Sequence, residues 1–211
     1  MANTFPDSGR RMAFVPFSVE IAPIFVRLFF VLSFLLTSCG EDTYAPKPRG
    51  YFRIGLPEHR YVMFDPADCP FRFKIPEGAL AIRDSGVMAE PCWYYIVVPS
   101  LNAQIYLTYK PVKNDFARYL QDTHELVYKH TTRASSIDEQ ILSFRPGVAG
   151  VLYELGGEAA SATQFFVTDS TRHFLRGALY FNAAPNADSL APVQEHMRQD
   201  ILEMLKSLEW K

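Results

Sequence analysis

The sequence offers little to most of the chemistries that residue patterns reveal. Its lysines and arginines form no cluster and no stacking motif runs among them, so the counter-ion exchange behind nucleic-acid binding has no face to act on. Gly150, Gly156 and Gly157 make no Gly-x-Gly-x-x-Gly or Gly-Lys-Ser/Thr fingerprint, which leaves nucleotide binding unsupported. The five histidines, His59, His124, His130, His173 and His196, include no His-Glu-x-x-His pair, and no Gly-x-Ser-x-Gly elbow presents a nucleophile. Three cysteines supply neither a zinc set nor a Cys-x-x-Cys redox pair. No metal and no cofactor are expected. Internal repeats are lacking, which sets aside a TPR-type scaffold. Long polar or Pro/Gly-biased tracts are also missing, and with 48% hydrophobic and 14% aromatic residues the chain reads as globular.

Long apolar runs are scarce too. The run from Leu28 to Thr37 (LFFVLSFLLT) would rise roughly 15 Å as a helix, about half of a hydrocarbon core, and Pro23 and Arg27 oppose its extension toward Ile21. A basic flank, a short apolar centre and small residues before a boundary mark a signal peptide. Leu36-Thr37-Ser38-Cys39 resembles the lipobox of bacterial lipoproteins, in which the cysteine thiol is diacylglyceryl-modified before cleavage on its amino side. Residues 1–38 are therefore expected to be a leader and Cys39 the lipid-bearing first residue. Residues 39–50, with Pro46 and Pro48, are expected to be an extended tether. More than one acyl chain makes attachment effectively stable, so the domain needs no membrane-inserting face of its own. The expected location is the cell envelope, facing the periplasm, with the choice of membrane open.

Without the leader 173 residues remain, carrying 18 basic and 21 acidic side chains, a length suited to a single domain over 51–211. An exported chain permits disulfides, and Cys69 and Cys92 make one possible pair. Closing that loop would contribute about 3 kcal/mol. Free buried thiols are the alternative.

Aromatic-rich runs at Tyr51–Ile54, Tyr61–Phe64 and Phe71–Lys74 read as peripheral strands. Cys92–Val98 and Ala103–Tyr109, joined across Pro99-Ser100-Leu101-Asn102, read as a hairpin. Asn114 is expected to cap a helix through Lys129 with Phe116, Leu120, Thr123 and Val127 on one stripe. Gln140–Phe144, Val148–Leu155, Ser161–Thr168 and Phe174–Asn182 read as an antiparallel meander. A last helix, capped by Asp188 or Ser189 with Pro192 in its first turn, carries Val193, Met197, Ile201, Met204, Leu205 and Leu208 inward. The fold class is α+β, an antiparallel sheet covered by two main helices, and the order of elements is similar to a Mog1/PsbP-like sandwich.

Asp169-Ser170-Thr171-Arg172-His173 gathers a carboxylate, hydroxyls and an imidazole, yet proximity in sequence is not a triad, and Asp-Ser-Thr is good turn chemistry between strands. His124 and His130 read as surface or helix-end residues, His130 complementing the helix dipole. From Phe165 to Phe181 the chain (FFVTDSTRHFLRGALYF) resembles the gliding-motility lipoprotein GldD family of Bacteroidetes. The resemblance extends through Cys39-Gly-Glu-Asp, Pro46-Lys-Pro-Arg-Gly-Tyr51, Asp68-Cys-Pro-Phe71, Leu107-Thr-Tyr-Lys-Pro111 and Leu208-Glu-Trp-Lys211. It implies an accessory lipoprotein of the gliding apparatus and the associated type IX secretion machinery, with envelope proteins as partners and no defined enzyme activity. Thr168, Asp169, Ser170, Thr171, Arg172 and Arg176 are the candidate partner surface, Arg172 and Arg176 offering planar donors to carboxylates. Arg176 reads equally as a buried partner of Asp169. Two rival functions have structural signatures: an envelope hydrolase would bring His173 or His130 to Ser170 beside an acid, and a small-ligand carrier would hold an apolar cavity behind the meander.

Overall fold

The computed structural model describes residues 26–29, 54–184 and 186–211. The leader beyond one helical turn at 26–29, the lipidation residue Cys39, the tether, and the strand expected at Tyr51 lie outside the described residues, except Ile54, which is not in a strand. Two strands open the described domain, β1 (Tyr61–Phe64) and β2 (Phe71–Pro76), followed by β3 (Leu80–Arg83), β4 (Tyr94–Val98) and β5 (Ala103–Pro111). Helix α1 (Phe116–Tyr128) leads to β6 (Ala134–Arg145), β7 (Val148–Gly157), β8 (Thr163–Thr168) and β9 (His173–Phe181). Helix α2 (Ala187–Ser207) and the short β10 (Glu209–Trp210) close the chain. A seven-stranded sheet runs in the order β3-β4-β5-β9-β8-β7-β6 and a three-stranded one in the order β1-β2-β10. Every pairing is antiparallel.

Strand periodicity explains the layering. In β5, Ala103, Ile105, Leu107 and Tyr109 are buried while Gln104, Tyr106, Thr108 and Lys110 turn to the opposite face and are half-buried. The first of these faces joins a core in which Val193, Met197, Ile201 and Leu205 of α2 meet Phe71 and Phe73 of β2 and Ile96, Leu107, Phe165 and Leu179 of the large sheet. On the other face Tyr119 and Val127 of α1 pack with Tyr153, Phe166 and Phe174. Successive strand residues point to opposite faces, so Phe165 in one cluster and Phe166 in the other place α2 and α1 on opposite sides of the sheet. Strand β8 is buried at all six positions because both sides are covered there, which is why its sequence shows no alternation.

The expected α+β class, hairpin and meander are all present. The differences are local. Asn114 adopts φ 64° and Asp115 takes the N-cap position of α1 without a side-chain capping bond. Asn186, not Asp188 or Ser189, caps α2, its Oδ1 accepting from the Ser189 amide at 3.1 Å, so Pro192 falls a turn deeper than expected. Strands β3 and β10 were not anticipated. Strand β10 pairs with β2, and the Trp210 indole donates to the Gly147 carbonyl at 2.7 Å, pinning the C-terminus. Cys69 and Cys92 are joined by a disulfide with Cα atoms 5.6 Å apart, tying the loop before β2 to the approach of β4. Gly177 faces Phe165 across the β8–β9 pair, and a Cβ there would lie 2.1 Å from the ring, so the strand must be bare at this point for the ring to lie over it.

Candidate functional site

On the α1 side the helix leaves part of the sheet uncovered, and a cleft of about 410 Å³ opens between them. Its floor is the outward row of two neighbouring strands, Tyr106, Thr108 and Lys110 from β5 with Phe174, Arg176 and Tyr180 from β9. Tyr119, Asp122, Thr123 and Leu126 of α1 form one wall, and Trp93 and His130 complete the lining. The size falls within the range of small-ligand pockets, and the mixture of aromatic surface with a few polar groups is typical of them.

Arg176 is the distinctive group. Register places it between Thr108 and Phe166 in one cross-strand row, so its side chain runs along the covered face. One Nη2 donor reaches Gln164 Oε1 at 2.6 Å, whereas its Nε and the Gln164 Nε2 are buried without a partner. Burial pushes the Arg176 pKa down, opposed by the hydroxyls of Tyr180, Tyr106 and Tyr153, and no carboxylate among the described residues pairs with it. A guanidinium has five donors and stays charged, so partial burial without a counter-ion among the described residues leaves donors free to bind an anion. The neighbouring charges are otherwise engaged. Lys110 pairs with Glu90 and lies 5.0 Å over the Trp93 ring, Tyr106 donates to Asp84 at 2.9 Å, and Asp122 faces Arg118 at 4.0 Å. Burial, and after it the Arg176 cation, push the His130 imidazole below its ordinary pKa, so it adds no positive charge near neutral pH.

The sequence-predicted surface divides. Asp169 is not the partner of Arg176: its Oδ1 accepts the backbone amides of Thr171, Arg172 and His173 at 3.0, 2.8 and 2.8 Å. Burial alone would raise its pKa, but those amides outweigh it and hold the carboxyl at about 2. Thr168 is buried, donating to the His173 carbonyl at 2.6 Å and accepting from the Ser170 amide at 2.8 Å, while Ser170 takes the left-handed φ 64° that closes the turn. Ser170, Thr171 and Arg172 are exposed at its tip. Arg176, four residues on, belongs to the cleft instead. His173 Nδ1 lies 2.9 Å from the Tyr109 hydroxyl and its ring stacks on Trp210 at 4.9 Å, while Asp169 accepts from the backbone of the turn. His124 stacks on Tyr128 at 4.1 Å, and His130, read from sequence as a surface or helix-end residue, lines the cleft.

Sequence reasoning missed two groupings. One is the cleft, whose signal was the run of polar and aromatic residues on the outward row of β5. The other brings His59, ahead of β1, against His196 and Asp200 of α2. Its only local trace was the spacing of His196 and Asp200, one helical turn apart.

The described residues thus define an α+β protein of antiparallel sheets with a helix on each face of the larger one and an aromatic cleft. None of the described helices is long and apolar enough to cross a membrane. The chain matches the family of the gliding motility lipoprotein GldD over residues 41–210, and it belongs to that family. It is accordingly a lipoprotein of gliding motility, membrane-anchored in the cell envelope. No curated protein matches it. Among solved structures it is similar to the solution structure of cyanobacterial PsbP (CyanoP) from Synechocystis sp. PCC 6803, at 8% identity and a TM-score of 0.44, over 74% of this chain and 96% of that one.

Proposed function

We propose that this lipoprotein, moored through Cys39 and facing the periplasm, supports gliding and the associated type IX secretion machinery by holding a partner protein rather than by catalysing a reaction. The observation that carries the reading is the half-buried Arg176, with its Nε unpartnered and no carboxylate paired with it among the described residues, in a cleft rimmed by Trp93, Tyr106 and Tyr180. Arg, Trp and Tyr are the residue types that dominate interface energetics when they sit in a desolvated pocket. The fitting occupant is an extended segment of an envelope protein that inserts one carboxylate between apolar residues. Exposed Ser170, Thr171 and Arg172 form a separate and shallower contact candidate at the sheet's end. The cleft's volume and aromatic lining also favour a second reading, a small amphiphilic carboxylate carried by the lipoprotein.

An Arg176→Met variant tests the binding role. It keeps the apolar stem, removes the donors, and relieves a half-buried charge that pairs with no carboxylate among the described residues, so the domain is expected to remain folded with near-native stability. Loss of a charged hydrogen bond in a buried interface weakens association by roughly ten- to a hundredfold. In cells carrying a photo-crosslinking residue at Tyr180, the partner adduct is expected to fall sharply with Arg176→Met, together with spreading and secretion. An adduct, spreading and secretion all unchanged at normal protein abundance would reject the cleft as the contact site. Dependence of the same phenotypes on Thr171→Ala and Arg172→Ala alone would move it to the turn.

A further inference from the structure

The structure assigns the outer edge of β6 as the docking site of an extended segment from another protein, a strand with two adjacent basic residues that lengthens the seven-stranded sheet by one. Strand β6 ends that sheet, and among the described residues β7 is its only strand partner. The opposite edge, β3, is four residues long, whereas β6 runs for twelve. Register shifts interrupt its pairing near both ends, between Ala134 and Ile137 and between Ser143 and Arg145, and leave Ile137 to Ser143 as an unbroken run of roughly 23 Å. Every second residue of such a run turns its N–H and C=O away from β7, an edge of the kind to which partner segments add as strands. Natural sheets guard long edges with proline, lysine, bulges or a covering element. Between Ile137 and Ser143 there is no proline or lysine, and Asp138, Glu139, Gln140 and Ile141 are all exposed.

The side chains along the edge define the strand that fits it. Ile137 packs with the α1-side cluster and Leu142 with the core beneath α2, so Glu139 and Ile141 face the α1 side while Asp138 and Gln140 face the other. Asp138 stands directly opposite Glu154 of β7, a like-charged cross-strand pair, and Glu154 has its own cation in Arg198 of α2 at 2.5 Å. Asp138 is left with the Ser136 hydroxyl at 3.3 Å and Glu139 with the Tyr128 hydroxyl at 3.2 Å, and neither forms an ion pair among the described residues. Ile141 is 84% exposed beside the partly buried Val151. An added strand therefore meets one free carboxylate on each face and an apolar side chain two places from Glu139. Laid antiparallel to β6, the complementary segment reads apolar, any residue, basic, basic. A second copy of this run carries no basic residue and brings its own carboxylates, so the charges favour a different protein.

Full-length lipoprotein in detergent micelles is titrated into a short fluorescein-labelled peptide of alternating valine and threonine around a central Val-Thr-Lys-Lys, and binding is read by anisotropy at low salt. Saturable binding is expected, about tenfold tighter than for the same peptide with Glu-Glu in place of Lys-Lys. Asp138→Lys with Glu139→Lys changes two exposed residues and should reverse that preference. A strand pairs through one of its edges, so methylating alternate amide nitrogens along one edge of the peptide should abolish binding while methylation along the other is tolerated. Arg176→Met should bind the peptide as the native protein does, which separates this edge from the cleft. No saturable binding, a preference unchanged by the charge reversal, or equal binding of both methylated peptides overturns the assignment. Sedimentation showing a native dimer that Ile141→Lys makes monomeric would give the edge to a second copy and overturn it as well.

Discussion

Asp169 offers the sharpest quantitative check of the fold, because its carboxylate organises the β8–β9 turn mainly through three backbone amides, with Arg172 Nε 3.6 Å from its second oxygen. The folded protein holds it at about 2 against an ordinary 3.8, with burial opposing and the amides of Arg172, His173 and Thr171 prevailing. A depression of that size corresponds to about 2.4 kcal/mol at about 1.36 kcal/mol per pH unit. The turn sits at the protein surface, and screening there reduces the expected contribution to on the order of 1–2 kcal/mol. The sign follows from linkage. A carboxyl whose pKa falls on folding stabilises fully above its unfolded value, near 3.8, and the contribution drains away as the pH drops toward about 2. Asp169→Asn keeps an acceptor oxygen but not the charge. Urea unfolding should therefore place the variant on the order of 1–2 kcal/mol below the native protein at pH 7, with the gap narrowing steadily below pH 5 and nearly closed by pH 2. A gap of the same size at every pH, or none at pH 7, would refute the account of the turn.

Two further stability predictions rest on covalent and steric features. Replacing both Cys69 and Cys92 by serine opens a link spanning 23 residues in sequence and should cost about 3 kcal/mol, visible as a lower urea midpoint, and native protein under non-reducing conditions should resist thiol alkylation at both positions. Gly177→Ala drives a Cβ into the Phe165 ring and should destabilise by about 1–3 kcal/mol, whereas a combined Gly177→Ala/Phe165→Leu variant should recover part of the loss; equal stability of the single variant and the native protein would contradict the close approach.

Strong local signals carried most of the fold. The alternation in β5, the stripe Val193, Met197, Ile201 and Leu205, and the turn residues at 169–171 each satisfy a period or a φ/ψ demand within a few neighbours, and each sits where its pattern implied. What depends on partners far along the chain was not legible. Strand β3 has only four residues with three of them exposed, too little to show a face, and it exists because Leu80–Arg83 pairs with β4. Strand β10 is two residues completed by β2. The cleft was hidden for the same reason. Tyr106 and Arg176 lie 70 positions apart, and only the β5–β9 pairing reveals that they share a face. At the turn the chemistry of Asp169 was legible, but the direction of Arg176 was not, since that depends on which face of β9 the helix α1 covers.

The two faces of the large sheet argue for different roles. On the α2 side, aliphatic and aromatic side chains close over one another, and Phe71, Phe73, Leu107, Leu179, Met197 and Ile201 are wholly excluded from solvent. On the α1 side the sheet keeps a half-buried guanidinium with no acid paired to it among the described residues, and two buried nitrogens, Arg176 Nε and Gln164 Nε2, with no acceptor. A methionine or leucine at position 176 would pack against Phe166 and Tyr106 without that cost, so packing gives no reason for arginine. Buried donors left unpaired in one state make sense when another state supplies the acceptor. A carboxylate entering the cleft would satisfy Arg176 at once, turning a local loss of stability into affinity. On the proposed reading, the closely packed α2 face would hold the β5 and β9 rows in register, so that the donors are already placed when a carboxylate arrives.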